Sequence, residues 1–128
     1  MTATEEFILE WLKKAERDYK SARVLIAADE ELYGAACFHA QQLAEKALKA
    51  LLTARNIEFT KTHNLLLLSR LLNDTEINIH NEALDRLKDH AVEARYPGDY
   101  DEPERPEAEE ALRIAIEIYE LVKLKIAI

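Results

Sequence analysis

Helix-breaking residues are confined almost entirely to one short window of this chain, and that distribution limits what it can fold into. The 128 residues include only two glycines and three prolines, and Pro97, Gly98, Pro103 and Pro106 all fall within ten residues. Because glycine and proline are the residues that most disfavour a helix interior, long helices can run on both sides of this window. We therefore predict an all-α fold whose strongest interruption lies between residues 95 and 106.

Apolar side chains recur at spacings of three and four over most of the remaining chain, which is the spacing of one helical face. Thr2 is the predicted N-cap of the first helix, with Glu5 completing a capping box. Four more helices are predicted at about 32–55, at 63–72 with Thr62 as N-cap, at 79–96, and from Pro106 onward. The pattern predicts a single domain over residues 1–128, an antiparallel up-and-down helical bundle of about five helices.

Composition places the chain among cytoplasmic globular proteins. A hydrophobic fraction of 48% is too high for a disordered chain, and no apolar run approaches the roughly 20 residues of a membrane span. The polar, acidic N-terminus does not resemble a signal peptide. A lone cysteine, Cys37, excludes an internal disulfide framework and is expected to be a buried small hydrophobe. We expect a cytoplasmic protein that does not bind membranes.

The charge of the chain is concentrated in one acidic segment. The formal net charge is −8, and residues 101–110 alone contribute −5 of it. This balance argues against general attraction to nucleic acid but leaves room for a basic patch elsewhere. The acidic segment could dock on a basic partner, which would make the protein an interaction module. Alternatively, it is a solvated loop followed by a helix N-terminus, where acidic residues are favoured.

The four histidines do not follow a known metal-binding pattern. Glutamate is absent three residues before His39, His63, His80 and His90, whereas di-iron bundles need Glu-x-x-His and zinc proteases need His-Glu-x-x-His. Two glycines are also too few to build a glycine-rich phosphate loop. We predict neither a metal site nor a cofactor.

Two groups of polar residues are candidates for a ligand site. His39, Gln42, Lys46 and Lys49 are spaced by three, four and three along the second helix, so they form a polar stripe. One interpretation is a solvated face with a Glu45–Lys49 ion pair. The other is a row of donors lining a groove that takes an anionic ligand.

The second group follows the fourth predicted helix, where Pro97 and Gly98 shape a turn. A cation in the last turn of a helix meets the carbonyl end of the helix dipole, which is a sufficient structural role for Arg95. The turn also presents four side chains together, and strongly shaped loops often have functions. These candidates for ligand binding are Arg95, Tyr96, Asp99 and Tyr100.

With these pieces in view, the sequence resembles the HEPN domain family nearly end to end. The most specific match is the second-helix block, residues 37–52 (CFHAQQLAEKALKALL). The other matches, in the expected order, are the opening Trp11-x-x-x-Ala15-x-x-Asp18-x-x-x-Ala22, then Thr62-His63-Asn64-Leu65, then Ala94-Arg95-Tyr96-Pro97.

The resemblance implies a helical bundle that pairs as a homodimer and has a nucleotide- or RNA-related role. It also implies a small nucleotidyltransferase as partner in a toxin–antitoxin arrangement. Many members are metal-independent ribonucleases with an Arg-x(4–6)-His motif. In such chemistry a fixed cation faces the phosphate and a histidine transfers protons near neutral pH.

This sequence departs from the ribonuclease motif. Four residues separate Arg95 from Tyr100, which stands where catalytic members have histidine, and no histidine follows Arg95. Tyrosine ionises near pH 10, so it is a poor general base at neutral pH. We therefore favour a binding module in which Arg95 and Lys46 meet phosphate, His39 and Gln42 form hydrogen bonds, and a tyrosine stacks on a base. The alternative is a ribonuclease that uses Arg95 with His39 or His90.

Overall fold

The computed structural model describes residues 1–90, 98 and 101–126. These residues form six α-helices and one 3-10 turn, and they contain no β-strand. The helices are α1 (Ala3–Ala27), α2 (Tyr33–Ala54), α3 (Leu65–Leu72), α4 (Thr75–Asn78), α5 (Asn81–Arg86) and α6 (Arg105–Lys125), and the 3-10 turn is Lys88–His90. The predicted all-α bundle is confirmed.

The first two helices begin and end close to their predicted limits. The side chain of Thr2 accepts a hydrogen bond from the amide of Glu5 at 3.1 Å, which confirms Thr2 as the N-cap of α1. Helix α2 covers all but the ends of the predicted 32–55. It is the central helix of the fold, because α1, α3, the 3-10 turn and α6 all contact it. Its many alanines let these neighbours approach closely.

The long helices are arranged with α1 antiparallel to both α2 and α6. Glu102 and Pro103, just before α6, lie beside Gly34 at the start of α2. At the other end of the bundle, Asp74 pairs with both Arg55, at the end of α2, and Lys125, at the end of α6. Helices α2 and α6 therefore run side by side in the same direction, and the connection 55–104 carries the chain back along the bundle.

The third helix begins two residues later than predicted. Asn64, not Thr62, is its N-cap, since the Asn64 side chain accepts from the amide of Leu67 at 3.1 Å. The Thr62 hydroxyl accepts from the Asn64 amide instead, so it shapes the turn that precedes the helix. The helix ends at Leu72 as predicted, where Asn73 takes a left-handed conformation with φ of 49°.

The prediction of one continuous helix over 79–96 was wrong in the part that the structure describes. Asp74 starts a helix earlier, because its carboxylate accepts from the amides of Glu76 and Ile77. That helix is only one turn long, and α5 and the 3-10 turn follow as separate pieces. Residues 91–96 lie outside the described part of the chain.

The last helix and the glycine of the punctuated window agree with the sequence analysis. Helix α6 begins at Arg105, with Pro106 in its first turn. Gly98 has a φ of 91°, the left-handed region that glycine tolerates best. Among the described residues, no helix is both long enough and apolar enough to cross a membrane.

Candidate functional site

The polar stripe of α2 does not face open solvent, because α1 covers part of it. Asp18 of α1 lies opposite and is only 6% exposed. One of its carboxylate oxygens lies 2.8 Å from Nδ1 of His39, and the other accepts from Nζ of Lys46 at 2.5 Å. A carboxylate only accepts hydrogen bonds, so the Nδ1 atom of His39 bears the hydrogen and Nε2 is left for another partner.

His39 and Lys46 keep part of their surface open although they are paired. Their side chains are 26% and 22% exposed. A lysine ammonium has three donors, and Asp18 uses one of those of Lys46. His39 also borders a shallow cavity of about 410 Å³, lined further by Lys20, Val24 and Leu25 among others. The structure thus brings two of the predicted ligand-binding residues together on one buried carboxylate.

Gln42, the third predicted residue on α2, is engaged below the surface. Its amide nitrogen donates to the side-chain oxygen of Gln41 at 2.7 Å and lies 3.4 Å from Glu45. Gln41 in turn donates to the backbone carbonyl of His63 at 3.0 Å. To donate a hydrogen bond to a ligand, Gln42 would have to exchange these partners.

Glu45 is the centre of a second polar cluster, on the same helix. It is 3% exposed, and its oxygens lie 3.0 Å from Nζ of Lys49 and 2.8 Å from Nδ1 of His63. The Lys49 ammonium also lies 5.5 Å from the ring centre of Trp11 and 5.9 Å from that of Phe59. The Glu45–Lys49 pair is present, but the interpretation of the stripe as a solvated face does not hold for these two residues, because both are buried.

Several predicted site residues fall outside this part of the structure. Arg95, Tyr96, Asp99 and Tyr100 lie outside the described residues. His90 lies in the 3-10 turn and lines a different cavity, of about 390 Å³, between that turn and α6. The described residues therefore do not join His90 to His39, and the relation of Arg95 to either histidine stays a prediction.

Two further predictions concern isolated features. Cys37 is fully buried, and burial, assisted by the negative charge of Glu107, raises the pKa of its thiol from 9.0 to about 11. At neutral pH it is a protonated, apolar side chain, as expected. In the residues that the structure describes, no three histidine, cysteine, aspartate or glutamate side chains come together in a group that could hold a metal ion.

The acidic segment 101–110 is partly engaged within the chain. A carboxylate oxygen of Glu102 lies 3.0 Å from the position that a Cβ atom on Gly34 would occupy. Glu109 pairs with Arg105 at 3.5 Å, and Glu110 pairs with Arg113 at 2.6 Å. These contacts favour the interpretation of a helix start with local ion pairs over that of a free docking segment.

Sequence reasoning named Asp18 and Glu45 but did not assign them as the carboxylates that organise the two clusters. Asp18 occurs on the apolar stripe of α1, three residues after Ala15 and four before Ala22, and all three are buried. A carboxylate on a buried stripe needs a partner from a neighbouring helix, so this spacing was the available signal. It could not identify His39 and Lys46 as the partners. The role of Glu45 in holding His63 had no signal beyond the buried position of its helix.

Comparison with known proteins gives consistent matches over nearly the whole chain. The model of the family described as "HEPN domain" matches residues 8–125. A crystal structure of ST0689, described as an archaeal HEPN homologue, is 33% identical, covers 99% of this chain and 100% of its own, and has a TM-score of 0.73. The crystal structure of TT1696 from Thermus thermophilus is 31% identical, covers 93% of this chain and 98% of its own, and has a TM-score of 0.75.

A curated relative adds a functional description. The protein named "Putative toxin MJ1304", from Methanocaldococcus jannaschii, is 28% identical over an alignment of 129 residues, gaps included. The match covers 88% of this chain and 84% of that protein.

Proposed function

The chain belongs to the HEPN domain family, and on that premise we propose that it is a nucleotide- or RNA-binding module of a toxin–antitoxin pair. The proposal is supported most by the placement of His39 and Lys46 on Asp18. Two hydrogen-bonding groups, about two turns apart on α2, are held in fixed positions and remain partly exposed. The preorganised Lys46 ammonium can donate to a phosphate and the Nε2 atom of His39 can accept from a ribose hydroxyl, and little side-chain freedom is lost on binding.

The family resemblance adds residues 95–100 to the proposed site. Arg95 would meet a phosphate together with Lys46, and Tyr96 or Tyr100 would stack on a base. Asp99 belongs to the same segment. Stacking tolerates any base, so we expect weak sequence preference and a binding constant that falls with salt.

Equilibrium titration tests this site. The purified protein is titrated with nucleotides and with short fluorescent RNAs, and His39→Ala, Lys46→Ala and Arg95→Ala are compared with the wild type. Lys46→Ala and Arg95→Ala should each weaken binding by about tenfold, the loss of one good charge-assisted hydrogen bond, and His39→Ala should weaken it several-fold, the loss of an uncharged one. His80→Ala and Lys123→Ala, both on other faces of the fold, should bind like the wild type. Absence of binding by the wild type, or equal binding by the site variants, rules the site out.

We further propose that the module forms a homodimer and acts with a minimal nucleotidyltransferase. Both expectations come from the family resemblance. Light scattering after size exclusion measures the mass of the purified chain, which is 14.7 kDa for one copy. A value near twice that mass is expected. Co-expression with a nucleotidyltransferase encoded beside its gene should yield a stable complex, and separate elution of the two chains argues against the pairing.

A metal-independent ribonuclease is the second candidate, and the His39–Asp18 contact favours it. A carboxylate on Nδ1 orients the imidazole so that Nε2 can accept a proton. His39 would take the proton of a 2′-hydroxyl as its oxygen attacks phosphorus, while Lys46 and Arg95 stabilise the added charge. The bond to the 5′-oxygen then breaks, that oxygen takes a proton from an acid, and a cyclic 2′,3′-phosphate remains. The curated relative's description as a toxin is compatible with this activity.

Incubation of RNA with the protein and EDTA separates the two candidates. The ribonuclease predicts cleavage that His39→Ala or His90→Ala abolishes. RNA that is bound but stays intact over a range of pH and salt supports the binding module alone.

A further inference from the structure

The outward face of α1 has a strip of cations, and the exposed carboxylate of Glu10 lies three residues before its first member. All five are exposed, and in the described part of the chain none of them forms an ion pair. Arg23 lies over the ring of Tyr19 at 5.3 Å, a contact that leaves its charge uncompensated. This basic strip consists of Lys13, Lys14, Arg17, Lys20 and Arg23.

The two acidic residues between these cations are each engaged by other partners. Glu16 accepts a hydrogen bond from the hydroxyl of Tyr119 at 2.6 Å, on the side of α6. Asp18 is buried against His39 and Lys46. The outward face of residues 13–23 is therefore strongly positive, although the chain has a net charge of −8. A positive patch on a molecule of negative net charge attracts anionic groups to that patch and not to the rest of the surface.

The strip continues into an apolar surface at the C-terminal half of α1. Val24 shares a helical face with Lys13, Arg17 and Lys20 through spacings of four, three and four, and it is 69% exposed. Shallow cavities of about 410 and 420 Å³ meet at Lys20 and Val24. Their other lining residues include aliphatic side chains of the same helix. A cationic row about 10 Å long thus leads to an exposed aliphatic patch.

We propose that this basic strip and Val24 form a docking surface for an acidic amphipathic segment of a partner protein. Carboxylates of the segment would meet Lys13, Arg17 and Lys20, and an apolar side chain would cover Val24. The surface does not include Lys46, but it shares the cavity of about 410 Å³ with His39; the variants that test it change only residues of α1 and leave His39 and Lys46 in place.

The chemistry of the surface favours a protein over a nucleic acid. Sites for single-stranded nucleic acid combine cations with exposed rings on which bases stack. Between Lys13 and Val24 the exposed apolar side chain is that of Val24, and Arg23 covers the ring of Tyr19; the exposed ring of Phe7 lies six residues before Lys13. A long polyanion would also meet the remaining negative surface of the chain, whereas a short acidic segment would meet only the strip.

Fluorescence anisotropy with designed peptides tests the proposal. The probe is a labelled helical peptide with glutamate along one face and leucine at i, i+4 spacing, and it should bind the full chain with an affinity that falls as salt is raised. The triple variant Lys13→Glu, Arg17→Glu, Lys20→Glu should bind at least about tenfold more weakly. Val24→Ser alone should weaken binding several-fold. Circular dichroism should show unchanged helicity, because all four residues are exposed.

A matched charge reversal elsewhere serves as the control. The triple variant Lys61→Glu, Arg70→Glu, Lys88→Glu makes the same change of net charge at exposed positions outside α1 and should bind like the wild type.

Equal binding by the two triple variants overturns the proposal, as does equal binding of a peptide in which serine replaces leucine. An oligoadenylate that displaces the peptide from the strip at equal concentration reassigns the surface to nucleic acid. Loss of self-association in the α1 triple variant reassigns it to a second copy of the chain. Both results overturn the proposal.

Discussion

Asp18 is the residue on which the candidate site depends most, because two polar side chains of another helix rest on its carboxylate. His39 lies 21 residues away in sequence and Lys46 lies 28 away. The stripe of α2 could be predicted from spacing within one helix, since His39, Gln42 and Lys46 recur every three or four residues. Their partner could not, because contacts between helices follow from packing angles and register that no local pattern encodes.

Replacing Asp18 with asparagine tests this dependence. The amide side chain keeps the shape but loses the charge, so His39 and Lys46 lose their shared ionic acceptor in a largely buried position. We expect the free energy of unfolding to fall by about 1.5–3 kcal/mol, the range for a hydrogen bond to a charged group. Urea denaturation at pH 7 measures it. The exposed Asp29→Asn, in the loop after α1, should be neutral within error, and an equally neutral Asp18→Asn would show that the site is not held in this way.

At the scale of the helix, the sequence predicted those helix starts and ends that are set by a single local residue, such as a cap or a proline. Thr2 caps α1, Pro106 stands in the first turn of α6, and α3 ends at Leu72. The prediction failed between residues 73 and 90, where longer contacts decide the backbone. The side-chain amide of Asn78 donates to the carbonyl and hydroxyl of Ser69, nine residues earlier, and these bonds hold the broken helices against α3.

Two helix ends rely on asparagine in the left-handed region. Asn56, after α2, has a φ of 56°, and Asn73, after α3, has a φ of 49°. This conformation costs a residue with a Cβ atom about 1–2 kcal/mol, and the cost is smaller for asparagine than for most others. We therefore expect Asn73→Ala to lower the free energy of unfolding by about 1 kcal/mol and Asn73→Gly to preserve or raise it. Chemical denaturation of both variants measures the difference; an alanine variant as stable as the glycine variant would contradict the assigned geometry.

At the scale of the whole molecule, one carboxylate joins the ends of two long helices. Asp74 lies 2.8 Å from Arg55, after α2, and 3.2 Å from Lys125, at the end of α6. Burial alone would raise the pKa of this carboxyl, but the hydrogen bonds from Arg55 and Lys125 outweigh it and hold the pKa below its ordinary 3.8. The contact joins three distant parts of the chain at one end of the parallel pair α2 and α6, which also pack directly on each other, and the sequence pattern did not predict it.

The lowered pKa makes a prediction about acid stability. The ionised carboxylate of Asp74 is favoured in the folded state, so its contribution is present above the unfolded pKa and is lost as the pH falls through the folded value. The free energy of unfolding of the wild type should therefore drop more steeply below about pH 4 than that of Asp74→Asn. Denaturant titrations from neutral to strongly acidic pH compare the two. Parallel pH profiles would mean that Asp74 does not stabilise the alignment electrostatically.

The family assignment and the bundle follow from features spread over the chain, whereas the ligand site rests on a few side chains. Its most direct test is a titration of ¹⁵N-labelled protein with a short RNA, followed by amide chemical shifts. We predict saturable shift changes for His39, Lys46 and residues 95–100 other than Pro97, which has no amide hydrogen, with little change in the second half of α6. Changes absent throughout, or confined to surfaces that exclude His39, Lys46 and residues 95–100, would contradict the proposed site.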